Sequence, residues 1–182
     1  MNKVLIILAV VCGFMFFSSQ SKKKTGSSAA NVGGDKYSIS KLYSSVVDKS
    51  GKVITNHGLQ DRGYVLVYYS ASWCPPCRQF TPILDKYYQE NKNKQNFEVL
   101  LVGSDRSEKE MLSYMKKMSF NAIAFDKIRS SGLAQFAGRG IPNLTVFDNS
   151  GKVVLDGRKM HAMEALEAFK KLPRKSGKVA VR

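Results

Sequence analysis

Two cysteines, Cys74 and Cys77, stand two residues apart in Ala71-Ser72-Trp73-Cys74-Pro75-Pro76-Cys77-Arg78. Before them runs Tyr64-Val65-Leu66-Val67-Tyr68-Tyr69, apolar on both faces, as a central strand covered on both sides should be. After them Phe80, Ile83, Leu84, Tyr87 and Tyr88 recur with helical spacing. The pair therefore falls where a buried strand turns into a helix, which is the setting of a dithiol–disulfide redox centre.

Cysteines placed across the first turn of a helix can close a small disulfide without moving the backbone. Cys74 would lie at the helix N-terminus, where unsatisfied N–H groups and the positive dipole end favour its thiolate. The thiolate is the nucleophile, so Cys74 is expected to attack a substrate disulfide and form a mixed disulfide. Cys77, one turn in and more covered, then attacks the Cys74 sulfur and releases the reduced substrate. Pro75 and Pro76 restrain the loop and remove two backbone donors, and Arg78 adds a nearby positive charge. The competing reading is half a zinc site or two structural thiols. Zinc wants about four ligands. Cys12 is far away in sequence, and His57 and His161 are single and unpatterned, reading as exposed or turn histidines. No metal and no cofactor are expected.

The chain has 182 residues, enough for one domain with an appendage. Its three cysteines leave one pair, too few for a disulfide-stapled scaffold. The net charge of +15 is uneven: +5 in residues 1–41, +4 in 173–182, and +6 between them. These are basic tails rather than a basic face set with aromatics, so nucleic acid is not an expected partner. The tails serve solubility and weak attraction to anionic lipid or acidic partners.

Lys3 precedes an unbroken apolar run from Val4 to Phe17, followed by Ser18-Ser19-Gln20-Ser21. The run has the length of a signal-peptide core and is short of the roughly 20 residues of a spanning helix. Residues 1–21 are expected to be a secretory signal. Two alternatives stay open: an uncleaved anchor stopped by Lys22-Lys23-Lys24, and lipidation at Cys12. Each places the domain outside the cytoplasm, periplasmic or secreted, or tethered to a membrane surface. Residues 22–36 read as a flexible linker, 37–172 as the domain and 173–182 as a basic tail.

Within the domain, Lys36–Val47 reads as a strand or short mixed element and Val53–Leu59 as a second, weaker strand. The helix after Cys77 should reach about Asn91, with Pro82 kinking it. Phe97–Val102 is a strand, and Ser107 with Glu110 forms a capping box for a helix carrying Met111, Leu112, Met115 and Met118. Ala122–Phe125 is a short extended piece and Arg129–Ala137 a short helix. Asn143–Phe147 and Lys152–Asp156 form a hairpin around Asp148-Asn149-Ser150-Gly151. Met160–Leu172 is a closing helix with Met163, Leu166 and Phe169 on one face. The fold class is α/β: a central mixed sheet flanked by helices on both faces, with a C-terminal hairpin and helix.

The block Ser70-Ala71-Ser72-Trp73-Cys74-Pro75-Pro76-Cys77-Arg78-Gln79-Phe80-Thr81-Pro82 resembles the active site of the thioredoxin superfamily, in its tryparedoxin and nucleoredoxin branch. Phe97-Glu98-Val99-Leu100-Leu101-Val102-Gly103-Ser104-Asp105 resembles that branch's following strand and acidic turn, Phe125-Asp126 a segment before its short helix, and Gly140-Ile141-Pro142 its cis-proline loop. The resemblance covers about Leu42 to Leu172 and implies a thioredoxin fold. It further implies that Pro142 is cis beside the cysteine pair, that the Ile141 backbone pairs with an extended substrate, and that Trp73 covers the rim. Pro75 and Pro76 complete the substrate-facing support.

Two departures stand out. Where thioredoxin has a buried Asp six residues before the first cysteine, this chain has Tyr68, which leaves the proton acceptor for Cys77 to water. Asn143 follows the proline where Thr or Ser is commoner in the branch, which bears on substrate preference.

The expected function is an extracytoplasmic thiol–disulfide oxidoreductase that reduces protein disulfides. Its partners are those substrates and an unidentified electron donor, membrane-embedded if reductant is to reach the domain from across the membrane. A monomer is expected. The alternatives are a partner-specific reductant, such as one serving cytochrome c maturation, and a redox-inactive thioredoxin-fold binding module.

Overall fold

The computed structural model describes residues 36–176. The expected signal segment with Cys12, the linker up to residue 35, and residues 177–182 lie outside the described residues.

The elements run β1 (Val46–Val47), β2 (Tyr64–Ser70), α1 (Pro75–Gln95), β3 (Phe97–Gly103), α2 (Glu108–Met115), β4 (Asn121–Ile123), β5 (Asn143–Asp148), β6 (Val153–Leu155) and α3 (Ala162–Lys170). One mixed six-stranded sheet has the order β1-β4-β3-β2-β5-β6. β2 and β3 are parallel, from Tyr64↔Phe97 to Ser70↔Gly103, with α1 as the crossover. β5 lies antiparallel on the other side of β2, from Tyr64↔Asp148 to Tyr69↔Asn143. A neighbour on each edge and cover on both faces leave all of β2 buried.

Alternation along the strands sorts the core into two layers. Leu66, Tyr68, Val99 and Leu101 cluster with Phe80 and Leu84 of α1, Met111 and Met115 of α2, and Leu166 and Phe169 of α3. Val65, Val67, Leu100 and Val102 face the other way, onto Leu42, Leu59, Leu133 and Phe136. Those four belong to 3-10 helices, so both faces are helix-covered, one by α-helices and one by 3-10 turns. Each fully buried Leu or Phe contributes about 1.5–3 kcal/mol.

Several local expectations are corrected. No strand forms at Val53–Leu59: Val53 pairs only in an isolated bridge to Val47 and is 50% exposed. Gly58, at φ 72°, turns the chain into a 3-10 helix at Leu59–Asp61. His57 is buried there rather than exposed. Its Nδ1 accepts from the Leu59 N–H at 3.2 Å, which leaves Nε2 to donate to the Tyr43 carbonyl at 3.1 Å. Burial pushes the His57 pKa down, consistent with that neutral ring.

α1 runs on to Gln95 and ends at Asn96, held at φ 61°. The helix expected over 129–137 shrinks to a 3-10 turn at Leu133–Phe136. Met163 points outward, 42% exposed, because α3 buries Ala162, Ala165, Leu166 and Phe169, the i, i+3, i+4, i+7 set.

Residues 173–176 lie against the domain. Tyr64 donates to the Pro173 carbonyl at 2.9 Å, Asn96 to the Lys175 carbonyl at 2.8 Å, and Lys175 Nζ reaches Asp148 at 2.6 Å. Among the described residues no helix is long and apolar enough to cross a membrane.

Candidate active site

The chain leaves the carboxyl end of β2 at Ser70 and enters α1 through Cys74, its N-cap. Cys74 has extended backbone (φ −89°, ψ 112°), and its Sγ accepts the Cys77 N–H at 3.3 Å. Pro75 and Pro76 occupy the first helical positions, where a missing N–H forfeits no helical bond. The Cys77 N–H is thus left to serve the sulfur. Cys74 and Cys77 are disulfide-bonded, with Cα atoms 5.2 Å apart. Cys74 is 4% exposed and Cys77 fully buried, the expected order. The Ile141–Pro142 peptide is cis, and the Ile141 carbonyl lies 3.6 Å from Cys74 Sγ. The structure thereby brings together Cys74, Cys77, Ile141 and Pro142.

The turn after β3 braces the segment before Cys74. Asp105 Oδ1 accepts from the Ser72 N–H at 2.8 Å and from its hydroxyl at 2.6 Å. Trp73 donates its indole N–H to the Ser104 carbonyl at 3.1 Å and is half exposed, which places it on the rim and not in the core. Asp105 is itself buried, and its Oδ2 has no hydrogen-bond partner among the described residues. Sequence reasoning noted the acidic turn but assigned it no task.

Behind Cys77 stands a buried hydroxyl cluster. Tyr68 Oη lies 2.8 Å from Thr81 Oγ1 and accepts from Ser70 Oγ at 3.0 Å. Thr81 Oγ1 donates to the Cys77 carbonyl at 2.8 Å and sits 2.5 Å from Tyr114 Oη. Burial pushes the Tyr68 hydroxyl pKa well above its ordinary value, against the smaller opposing effect of Ser70 and Thr81. Tyr68 therefore keeps its proton and is no replacement for a buried carboxylate base. Apart from Tyr68 this cluster was missed from sequence, where the i, i+4 spacing of Cys77 and Thr81 is its only trace.

Beside the disulfide lies a groove of about 890 Å³ between the start of α1, the cis-proline loop and the start of α3. Ile83 and Met163, both 42% exposed, line it. Asn143 is buried at its base: Oδ1 accepts from the Gly138 N–H at 3.0 Å, and Nδ2 donates to the Gly157 carbonyl at 2.6 Å. A Cβ at Gly157 would sit 2.3 Å from Asn143 Oδ1, so the brace needs glycine there. Among the described residues no three His, Cys, Asp or Glu side chains are grouped to hold a metal ion.

This geometry has counterparts in known proteins. Residues 62–153 match the Thioredoxin-like family model. Nucleoredoxin of Xenopus laevis is 43% identical over 94 residues, which is 50% of this chain and 23% of that protein. The chain thus spans under a quarter of that relative's length. Tryparedoxin of Trypanosoma brucei brucei is 40% identical over 93 residues, 50% of this chain and 65% of that one. The structure of tryparedoxin II complexed with glutathionylspermidine is 31% identical with a TM-score of 0.59, covering 73% of this chain and 93% of the other. With a mixed sheet of the same fold and a cysteine pair that fits a redox-active site, the chain belongs to the thioredoxin-like family, alongside the tryparedoxins and nucleoredoxins.

Proposed function

We propose that the chain reduces protein disulfides, with Cys74 as the attacking thiolate and Cys77 as the resolving thiol. The observation that carries this is the Cys77 N–H on the Cys74 sulfur at 3.3 Å, at the start of a helix. A donor and a dipole aimed at that sulfur favour its anion. In the reduced form the Cys74 thiolate attacks one sulfur of the substrate disulfide. An S–S bond forms to Cys74, and the other substrate sulfur leaves as a thiolate that takes a proton from water. Cys77, having lost its proton to water, attacks Cys74 Sγ and expels the second substrate thiolate. The substrate has gained two electrons and the Cys74–Cys77 disulfide has formed. An external dithiol or other two-electron donor must restore it. Ile141 and Pro142 form the ledge for the substrate backbone, and Trp73, Pro75 and Pro76 its rim.

Extracytoplasmic placement rests on Lys3 and the apolar run Val4–Phe17; export of a fused reporter tests it. A membrane-embedded donor follows from that placement. A low-molecular-weight thiol donor is a second reading, favoured by the tryparedoxin II neighbour's complex with glutathionylspermidine.

Dithiol-dependent insulin reduction by the full chain is the test of activity. Turnover is expected in the wild type and lost in Cys74→Ser. Full turnover in Cys74→Ser, or none in the wild type, would sink the reading.

A further inference from the structure

We propose that the groove beside the disulfide selects protein disulfides flanked by acidic residues, with Arg139 as the residue that reads them. This rests on the assignment of Cys74 as the attacking thiol.

Arg139 is exposed and makes no hydrogen bond or ion pair among the described residues. It stands two positions before Ile141, whose carbonyl lies 3.6 Å from Cys74 Sγ. A segment docked with its sulfur at Cys74 must pass this loop. Between them, a Cβ on Gly140 would meet nothing within 4 Å, so the outer side of the loop is open to a partner.

The other basic side of the groove carries Arg158 and Lys159. Both hold the Asp156 carboxylate, at 2.8 and 3.8 Å. Glu164, in the first turn of α3, is the one carboxylate among the described groove-lining residues, against Arg139, Arg158 and Lys159. The groove thus sets cations beside the exposed apolar side chains of Ile83 and Met163. An extended segment with an apolar residue and a carboxylate close to its cystine satisfies both. Cations at a mouth also raise the encounter rate of an anionic partner.

Asn143 is the positioning residue. Its amide ties Gly138 to Gly157, at 3.0 and 2.6 Å, and the residues that follow these glycines are Arg139 and Arg158. One buried side chain therefore fixes the distance between the two basic loops. This gives a structural task to the asparagine that departs from the branch's usual Thr or Ser.

The test compares kcat/KM of the full chain on two cystine-bridged peptides of equal length and apolar content. One carries Glu beside each cysteine and the other Lys, with hydroxyethyl disulfide as an uncharged third substrate. We expect a preference on the order of tenfold for the acidic peptide at low salt, shrinking toward unity at about 1 M salt, where the screening length is about 3 Å. Arg139→Glu should abolish or reverse the ratio. A wild-type ratio of one or below, or a ratio that Arg139→Glu leaves unmoved, overturns the proposal. If hydroxyethyl disulfide is reduced but no charge ratio appears, only the groove assignment fails. If none of the three is reduced, the oxidoreductase reading fails with it.

Discussion

α1 is capped at its start by a sulfur and at its finish by an asparagine, and the surroundings of the two caps differ in kind. Around Cys74, apolar side chains are left in water: Trp73 at 50%, Ile83 and Met163 at 42% exposure. Around Asn96, polar side chains are buried and paired. Gln95 donates to the Phe169 and Leu172 carbonyls at 2.8 and 2.9 Å, Asn96 to that of Lys175 at 2.8 Å, and Glu98 accepts from Tyr88 with Arg62 at 3.5 Å. Buried polar groups that find partners within the chain close off a surface. Exposed apolar groups, two of which, Ile83 and Met163, share one groove, leave a surface that a partner can complete. One end of the helix is therefore closed by the chain itself, the other is the end we propose for recognition, and substitutions should separate the two.

The largest separation should come from ending the chain after Leu172. That removes the carbonyls bonded by Tyr64 and Asn96 and the Lys175 partner of Asp148. About 3 kcal/mol of stability should be lost, with disulfide exchange unchanged below the melting transition. Denaturant unfolding read beside turnover checks it; a loss under about 0.5 kcal/mol would show that the clasp adds nothing.

Asp148→Asn should cost less, about 2 kcal/mol at neutral pH. Burial works against the Asp148 carboxylate, but hydrogen bonds from Lys175 and Ser150 outweigh it and hold its pKa below the ordinary 3.8. A lowered folded pKa gives stability that is present above the unfolded value and is lost as pH falls through the folded one. The gap between wild type and Asp148→Asn should therefore close as the pH drops below 3.8. A gap that stays constant through that range would refute the charged partnership.

The smallest effect is expected behind Cys77. Tyr68→Phe removes one hydroxyl from the buried cluster, for about 1 kcal/mol. Because burial holds the Tyr68 proton well above its ordinary range, the pH–rate profile over roughly pH 6–9 should not move. A displaced profile would make Tyr68 a proton carrier.

How much of this could be read from sequence is clearest where one motif occurs twice. Asp48-Lys49-Ser50-Gly51-Lys52 and Asp148-Asn149-Ser150-Gly151-Lys152 fold into the same turn. In each, the Asp Oδ1 accepts from the Ser and Lys N–H groups, at 2.8 and 3.2 Å in the first and 2.9 and 3.1 Å in the second. Both glycines have positive φ, 83° and 82°. Yet β6 forms after the second turn, and only a bridge at Val53 forms after the first. The difference lies in what the following segment can pair with: β5 offers six residues and β1 two. Local sequence specified the turn, and the sheet decided the strand.

The same holds at the site. Cys74, Cys77, the strand before them and the cis Pro142 were legible, because spacing and the resemblance carry them. The Tyr68–Thr81–Tyr114 cluster was not, since its members lie 13 and 33 residues apart and meet only through packing. Asn143 was legible as a departure but not as a brace, because the glycine carbonyl it reaches lies 14 residues further on.

We assign Cys74, at the start of α1, as the reactive thiol. Timed alkylation of the reduced chain with iodoacetamide across pH, read by mass spectrometry at each cysteine, tests it most directly. Cys74 should label first, with an apparent pKa below the ~8.5 of a free thiol, while Cys77 labels slowly. Labelling of Cys77 ahead of Cys74, or a Cys74 that titrates at or above about 8.5, would contradict the account.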